Sequence, residues 1–172
     1  TISIAPTATN ICAGTNVIFT ATPTNGGTTP SYQWKLNGNN VGTNSPTYSN
    51  NTLTNGNTVT CIMTSSLSCV TGSPATSNTI TMTVNPIVAA SVAIAPTATN
   101  ICSGTNVIFT ATPTNGGAAP SYLWKLNGNN VGTNSSTYSN NTLANGNTVS
   151  CVMTSNAACV TGSPATSNTI TM

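Results

Sequence analysis

A chain of 172 residues with two Lys and no Arg, Asp, Glu or His lacks the usual general acids and bases and the ligands that hard cations and catalytic zinc need. That composition argues against an enzyme and leaves no catalytic residue, no metal ligand and no cofactor site to nominate. Two lysines ninety residues apart make no basic stripe, so nucleic acid is not expected as a partner, and no apolar run approaches the roughly 18 residues of a membrane span, so insertion is not expected either.

In chain order, apolar and polar residues alternate in short runs bounded by turn residues, the pattern of β-strands. Ile2 and Ile4 predict a first strand ended by Pro6. Val17, Phe19 and Ala21 share one face of a second, with Ile18 and Thr20 on the other. TPTNGGTTP is a loop by composition. Tyr32, Trp34 and Leu36 then point one way, leaving Gln33 and Lys35 outside. This alternation places Tyr32 and Trp34 in the core rather than on a sugar-stacking surface. Asn37-Gly38 follows, a hairpin signal because a type I′ turn needs positive φ at both central residues. A short edge strand is expected around Tyr48. After Asn55-Gly56, Val59, Cys61 and Met63 are expected to face inward, and Ile80, Met82 and Val84 to form the last strand.

The set recurs ninety residues on. Cys12 returns as Cys102, Trp34 as Trp124, Cys61 as Cys151 and Cys69 as Cys159, with Tyr32 and Tyr48 returning as Tyr122 and Tyr138. Residues 1–82 and 91–172 differ at 14 positions. A unit of this size with its own apolar pattern is a small domain rather than one solenoid turn. Residues 1–82 and 91–172 are read as two domains and 83–90, TVNPIVAA, as their linker. The second copy stops where the first enters that linker, so the expected reading is a window on a longer array.

About seven strands, a Trp on the third and a Cys on the penultimate one resemble an immunoglobulin-like domain. Thr20 and Ala21 stand where that family's partner cysteine would sit, and Val59 where it often has a corner tyrosine. The phrases ICAGTNVIFTATPTNGG, PSYQWKLNGNNVGTNSPTYSNNTLTNGNTVTCIMTSS and PATSNTITMTVNP are similar to the immunoglobulin-like or PKD-like repeats of giant cell-surface proteins of Bacteroidota. Many of those are exported by the type IX pathway, and some act as gliding adhesins. The resemblance spans both copies, with Cys12, Trp34 and Cys69 at its recurring positions. It implies an all-β fold of two tandem immunoglobulin-like β-sandwiches, an extracellular, cell-surface location and a stalk or fibre role without catalysis.

Three cysteines per repeat leave at least one per domain free or bonded outside it, and disulfides are the default in an extracellular chain. In an immunoglobulin topology Cys12 and Cys69 lie at opposite ends of the sandwich. A Cys12–Cys159 bond stapling neighbouring repeats is one expectation. A bond within the domain among Cys12, Cys61 and Cys69, with Cys12–Cys69 favoured, is preferred to it. Cys61 and its counterpart Cys151 are read as inert buried thiols, and Cys102 is a candidate on the same footing as Cys12. Lys35 and Lys125 are expected to be solvated, since no acid is present to catalyse an isopeptide crosslink. Tyr48 and Tyr138, near an edge, are the candidates for surface contact.

A neutral surface of hydroxyls and amides lacks the charges that keep sheet edges apart. The expected function is therefore structural, with neighbouring repeats and further copies as partners in fibres. The alternative is a module that binds a surface polysaccharide.

Overall fold

The alternation along each run is what folds the chain into sheets. In the computed structural model, which describes residues 1–172, there is no helix, and the chain divides into two units, Thr1–Pro86 and Ile87–Met172. The first holds β1 (Ile2–Pro6), β2 (Asn10–Cys12), β3 (Val17–Pro23), β4 (Ser31–Leu36), β5 (Asn39–Val41), β6 (Thr47–Asn50), β7 (Thr58–Thr64), β8 (Ala75–Thr76), β9 (Ile80–Thr81) and β10 (Thr83–Asn85). The second opens with β11 (Val88–Ala89) and continues with β12 (Ser91–Pro96), β13 (Val107–Thr114), β14 (Ser121–Leu126), β15 (Asn129–Val131) and β16 (Thr137–Asn140). It ends with β17 (Thr148–Thr154), β18 (Val160–Thr161), β19 (Ala165–Thr166) and β20 (Ile170–Thr171).

Each unit is a sandwich of two antiparallel sheets. In unit 1 one sheet runs β1-β3-β6 and the other β5-β4-β7-β8, with β9 also on β7. Unit 2 repeats this as β12-β13-β16 and β15-β14-β17-β19, with β20 on β17. A three-strand sheet facing a sheet centred on the Trp and Cys strands is an immunoglobulin-like arrangement, so the chain is an all-β pair of tandem immunoglobulin-like sandwiches.

Period-two alternation puts Ile2 and Ile4, then Val17, Phe19 and Ala21, on the inner face of the first sheet. Trp34 with Val59, Cys61 and Met63 lines the inner face of the second. Each unit has its own core, and no polar or charged residue is buried in either. The β4–β5 hairpin turns at Asn37 and Gly38, with φ of 51° and 82°, as a type I′ turn requires. Asn37 Oδ1 also accepts from the Thr58 backbone N–H at 2.9 Å, tying the turn to β7.

Two elements depart from the sequence reading. The strand expected through Ile80, Met82 and Val84 is broken at Met82: β9 pairs with β7, while β10 crosses to lie parallel to β2. The break falls where β7 begins: Met82 donates to Asn57 O and accepts from Gly56 N–H, both at 2.9 Å, in the turn before β7, and the next residue, Thr83, donates to Thr9 O at 2.8 Å. The stretch 83–90, read as a linker, is largely strand. Thr83–Asn85 pairs with β2 in unit 1, and Val88–Ala89 pairs with β18 in unit 2.

Between β8 and β9, Ser77 N–H donates to Cys61 O at 2.9 Å and side chains add to that backbone bond. Ser77 Oγ accepts from Cys61 N–H at 2.9 Å. Asn78 accepts from Ile4 N–H at 2.8 Å through Oδ1 and donates to Ile4 O at 3.1 Å through Nδ2, bonding the segment that carries it to the opposite sheet. Ser167 and Asn168 make the same bonds to Cys151 and Ile94.

Candidate functional site

The aromatic side chains form one packed group per unit. Phe19 lies directly opposite Tyr48 in the β3–β6 register, and their ring centroids are 5.9 Å apart at 23°. Trp34 approaches the same tyrosine at 5.8 Å and 29° and reaches Phe19 at 6.4 Å. Phe109, Trp124 and Tyr138 repeat the group. The indole N–H of Trp34 donates to Ser45 O at 2.9 Å, so its one polar atom is satisfied inside the fold.

Tyr32 and Tyr122 are half-buried against their cores. Tyr48 and Tyr138 differ from the edge-exposed placement expected of them. Both rings are half-buried on the core, and each hydroxyl accepts from Asn50 or Asn140 Nδ2, at 2.7 and 2.8 Å. Alternation along β6 turns them toward Phe19 and Phe109, which occupies the ring surface a sugar would need. Lys35 stays at the surface, its ammonium donating to Gly38 O and Asn40 Oδ1.

The cysteines fall into three environments. Cys61 and Cys151 are fully buried and free, opposite Trp34 and Trp124 in register. Burial pushes the Cys61 thiol up from 9.0 to about 11, partly offset by a hydrogen bond from the Gln33 backbone. Cys151 is raised for the same reason, and Tyr122 is raised by burial and then by the negative charge Cys151 would carry. Cys69 and Cys102 are free and exposed. Cys12 and Cys159 are disulfide-bonded.

The preferred expectation of a bond within the domain among Cys12, Cys61 and Cys69 is therefore not met, since Cys12 is oxidised while Cys61 and Cys69 are not. The fold supplies the reason for Cys61, whose thiol is sealed in the core, and for Cys12, which is held at the end of β2 by β10.

The stretch 83–90 brings together residues that sequence reasoning did not single out. In unit 1, Thr83 N–H donates to Thr9 O at 2.8 Å and Val84 N–H to Asn55 Oδ1 at 3.1 Å. Asn85 Nδ2 donates to Asn10 Oδ1 at 2.6 Å, and Asn85 O accepts from Ala13 N–H at 2.9 Å. In unit 2, Val88 N–H donates to Cys159 O at 3.0 Å and Ala90 N–H to Thr161 O at 2.8 Å. The signal that pointed to these partners was weak: Thr83-Val84 and Ile87-Val88 are two short β-branched pairs separated by Asn85-Pro86, too short to establish a period.

No family model and no curated protein sequence matches the chain. Among solved structures it is similar to a chain of the complex between a mouse coronavirus receptor-binding domain and its murine receptor, at 13% identity and a TM-score of 0.46, covering 99% of this chain and 98% of that one. It is also similar to murine CEACAM1b, at 14% identity and a TM-score of 0.40, covering 100% and 98%. The fibronectin(III)-like modules of Clostridium thermocellum CbhA match at 15% identity and a TM-score of 0.39, covering 96% and 90%.

Proposed function

We propose that this chain is a non-enzymatic, extracellular structural element. It serves as a segment of a surface adhesin stalk or filament of the Bacteroidota type, built from tandem repeats that give reach and from neutral Thr- and Asn-rich surfaces through which copies assemble. The observation that carries this reading is the treatment of residues 83–90. Unit 1 takes the first half as a strand and unit 2 takes part of the second, so that Pro86 and Ile87 are the residues left between β10 and β11. A segment built this way suits repetition rather than a catalytic cleft.

The oxidised state of Cys12 and Cys159 supports an oxidising, extracellular setting. A non-reduced peptic map in which Cys12 and Cys159 occur only in disulfide-linked peptides is the expected result, and either one recovered as a free thiol would count against that setting.

The assembly reading is tested by cryo-electron microscopy of the protein as it comes from the cell surface. Extended fibres beaded at a constant axial spacing are expected. Discrete two-domain particles that stay apart at high concentration would overturn it.

A further inference from the structure

Among the positions at which the two units differ, one changes what the second sheet shows to solvent. In unit 1, Gln33 lies on the outward face of β4, and its amide folds back over the hairpin: Nε2 donates to Trp34 O at 3.0 Å and to Val41 O at 3.3 Å. Two residues along the same face, Lys35 donates to Gly38 O at 3.3 Å and to Asn40 Oδ1 at 2.9 Å. Both polar side chains are occupied with their own β4–β5 hairpin.

In unit 2 the residue at the position of Gln33 is Leu123, which has no amide to fold back and is 42% exposed. It stands opposite Val152 in the β14–β17 register, and on its other flank the chain leaves β15 at Gly132, which has no side chain to cover it. Hydroxyls surround this apolar pair: Ser121 opposite Thr154, Thr166 opposite Val152, and Ser150 opposite Lys125. Alternate residues of a strand share one face about 7 Å apart, which is the separation of Leu123 and Lys125 along β14. No residue of the chain can neutralise the Lys125 ammonium, because there is no Asp or Glu.

We infer that the outward face of β14 in unit 2 docks an extended acidic segment of another protein. An apolar side chain of that segment covers Leu123 and Val152, and a carboxylate two residues along meets the Lys125 ammonium. The two-residue offset is the one at which an extended chain turns side chains to the same side. A small apolar centre ringed by hydroxyls and one cation has the anatomy of a protein contact. A second copy of this chain fits the face poorly, since it brings no side-chain carboxylate and would set lysine against lysine. The site stands apart from the stalk reading, because neither fibres nor their absence bear on a peptide contact at Leu123.

The test is NMR titration of the 172-residue chain with two end-capped peptides, Thr-Leu-Thr-Glu-Thr and its neutral twin Thr-Leu-Thr-Gln-Thr. The acidic peptide should saturably shift the amides of Leu123, Lys125 and Val152 at millimolar concentration and leave those of Gln33, Lys35 and Ile62 in place. Leu123→Gln installs the residue that unit 1 already carries at this position, so the fold is kept, and it should weaken binding at least fivefold, as should Lys125→Gln. Gln33→Leu should bring the unit 1 amides into the response. Equal shifts with the neutral peptide would show that no charge is read, and no shift with either would show no site. An equal response of both units in the unaltered chain would remove the role of Leu123. Shifts at Leu123 that grow with protein concentration alone would assign the face to a second copy, and the same shifts with polygalacturonate would assign it to a polyanion. Each of these results overturns the inference.

Discussion

Cys61 shows how much one position can be asked to do by burial alone. Its thiol is fully enclosed beside Trp34, so the neutral form is favoured and the thiolate is disfavoured. A thiol raised from 9.0 to about 11 on folding contributes stability that is intact below pH 9 and lost as pH climbs toward 11, because the unfolded chain ionises first. Chemical denaturation at pH 8, 9.5 and 11 should give a midpoint that falls over that interval, and Cys61→Ala with Cys151→Ala should flatten the fall. The same enclosure sorts the thiols by reactivity. Iodoacetamide at pH 8 should label Cys69 and Cys102 in the folded chain and reach Cys61 and Cys151 only after denaturation, with mass spectrometry of the peptides as the readout. The aromatic group is a residue-scale feature too. Phe19 is fully buried between Trp34 and Tyr48, so Phe19→Ala should cost about 3–5 kcal/mol in urea unfolding.

At the scale of elements, the short segment between β8 and β9 carries more than its length suggests. Strands β1 and β7 belong to different sheets, and the Ser77 and Asn78 side chains supply hydrogen bonds to both, beside the one backbone bond from Ser77 N–H to Cys61 O. Asn78→Ala leaves the Ile4 N–H and C=O without these partners in a part-buried setting, a loss of about 1–3 kcal/mol. Faster hydrogen exchange at Ile4 with little change at Val59 is the expected local signature. Asn78→Asp keeps the acceptor and loses the donor, and should fall between the two. The long strands were legible because alternation over five to seven residues is a strong signal: β1, β3 and β7 lie where Ile2, Val17 and Val59 begin their runs. Strands of two or three residues, such as β2, β8 and β11, were not, since a stretch that short has no period to read.

For the whole molecule the absence of acidic groups and imidazoles has a plain consequence. No side chain here has an ordinary pKa between about 4.5 and 8, and the two lysines leave salt little charge to screen. The melting temperature should therefore move by no more than a few degrees between pH 4 and 7, or between low salt and molar salt, in scanning calorimetry. A neutral surface also removes the repulsion that keeps copies apart, and the exposed Ile18 and Ile108 sit on strand faces turned to solvent. Lateral association that is insensitive to salt and weakened by Ile18→Lys with Ile108→Lys is the expected behaviour in analytical ultracentrifugation.

The sequence by itself determined the repeat, the all-β class, the inward faces of the long strands, the Asn37-Gly38 turn and the lack of side-chain carboxylates and imidazoles. These are local or compositional properties, written in residue identity and spacing. Only the tertiary structure decided where the short strands pair, that Tyr48 turns onto Phe19 and Trp34, which cysteines are oxidised, and that residues 83–90 are shared out as strands. Each of those depends on groups far apart in the chain meeting in space: Asn85 on Asn10, Asn78 on Ile4, Val88 on Cys159. A one-dimensional pattern records which side chains want burial, whereas the partner that satisfies a backbone N–H is chosen only when the sheets close.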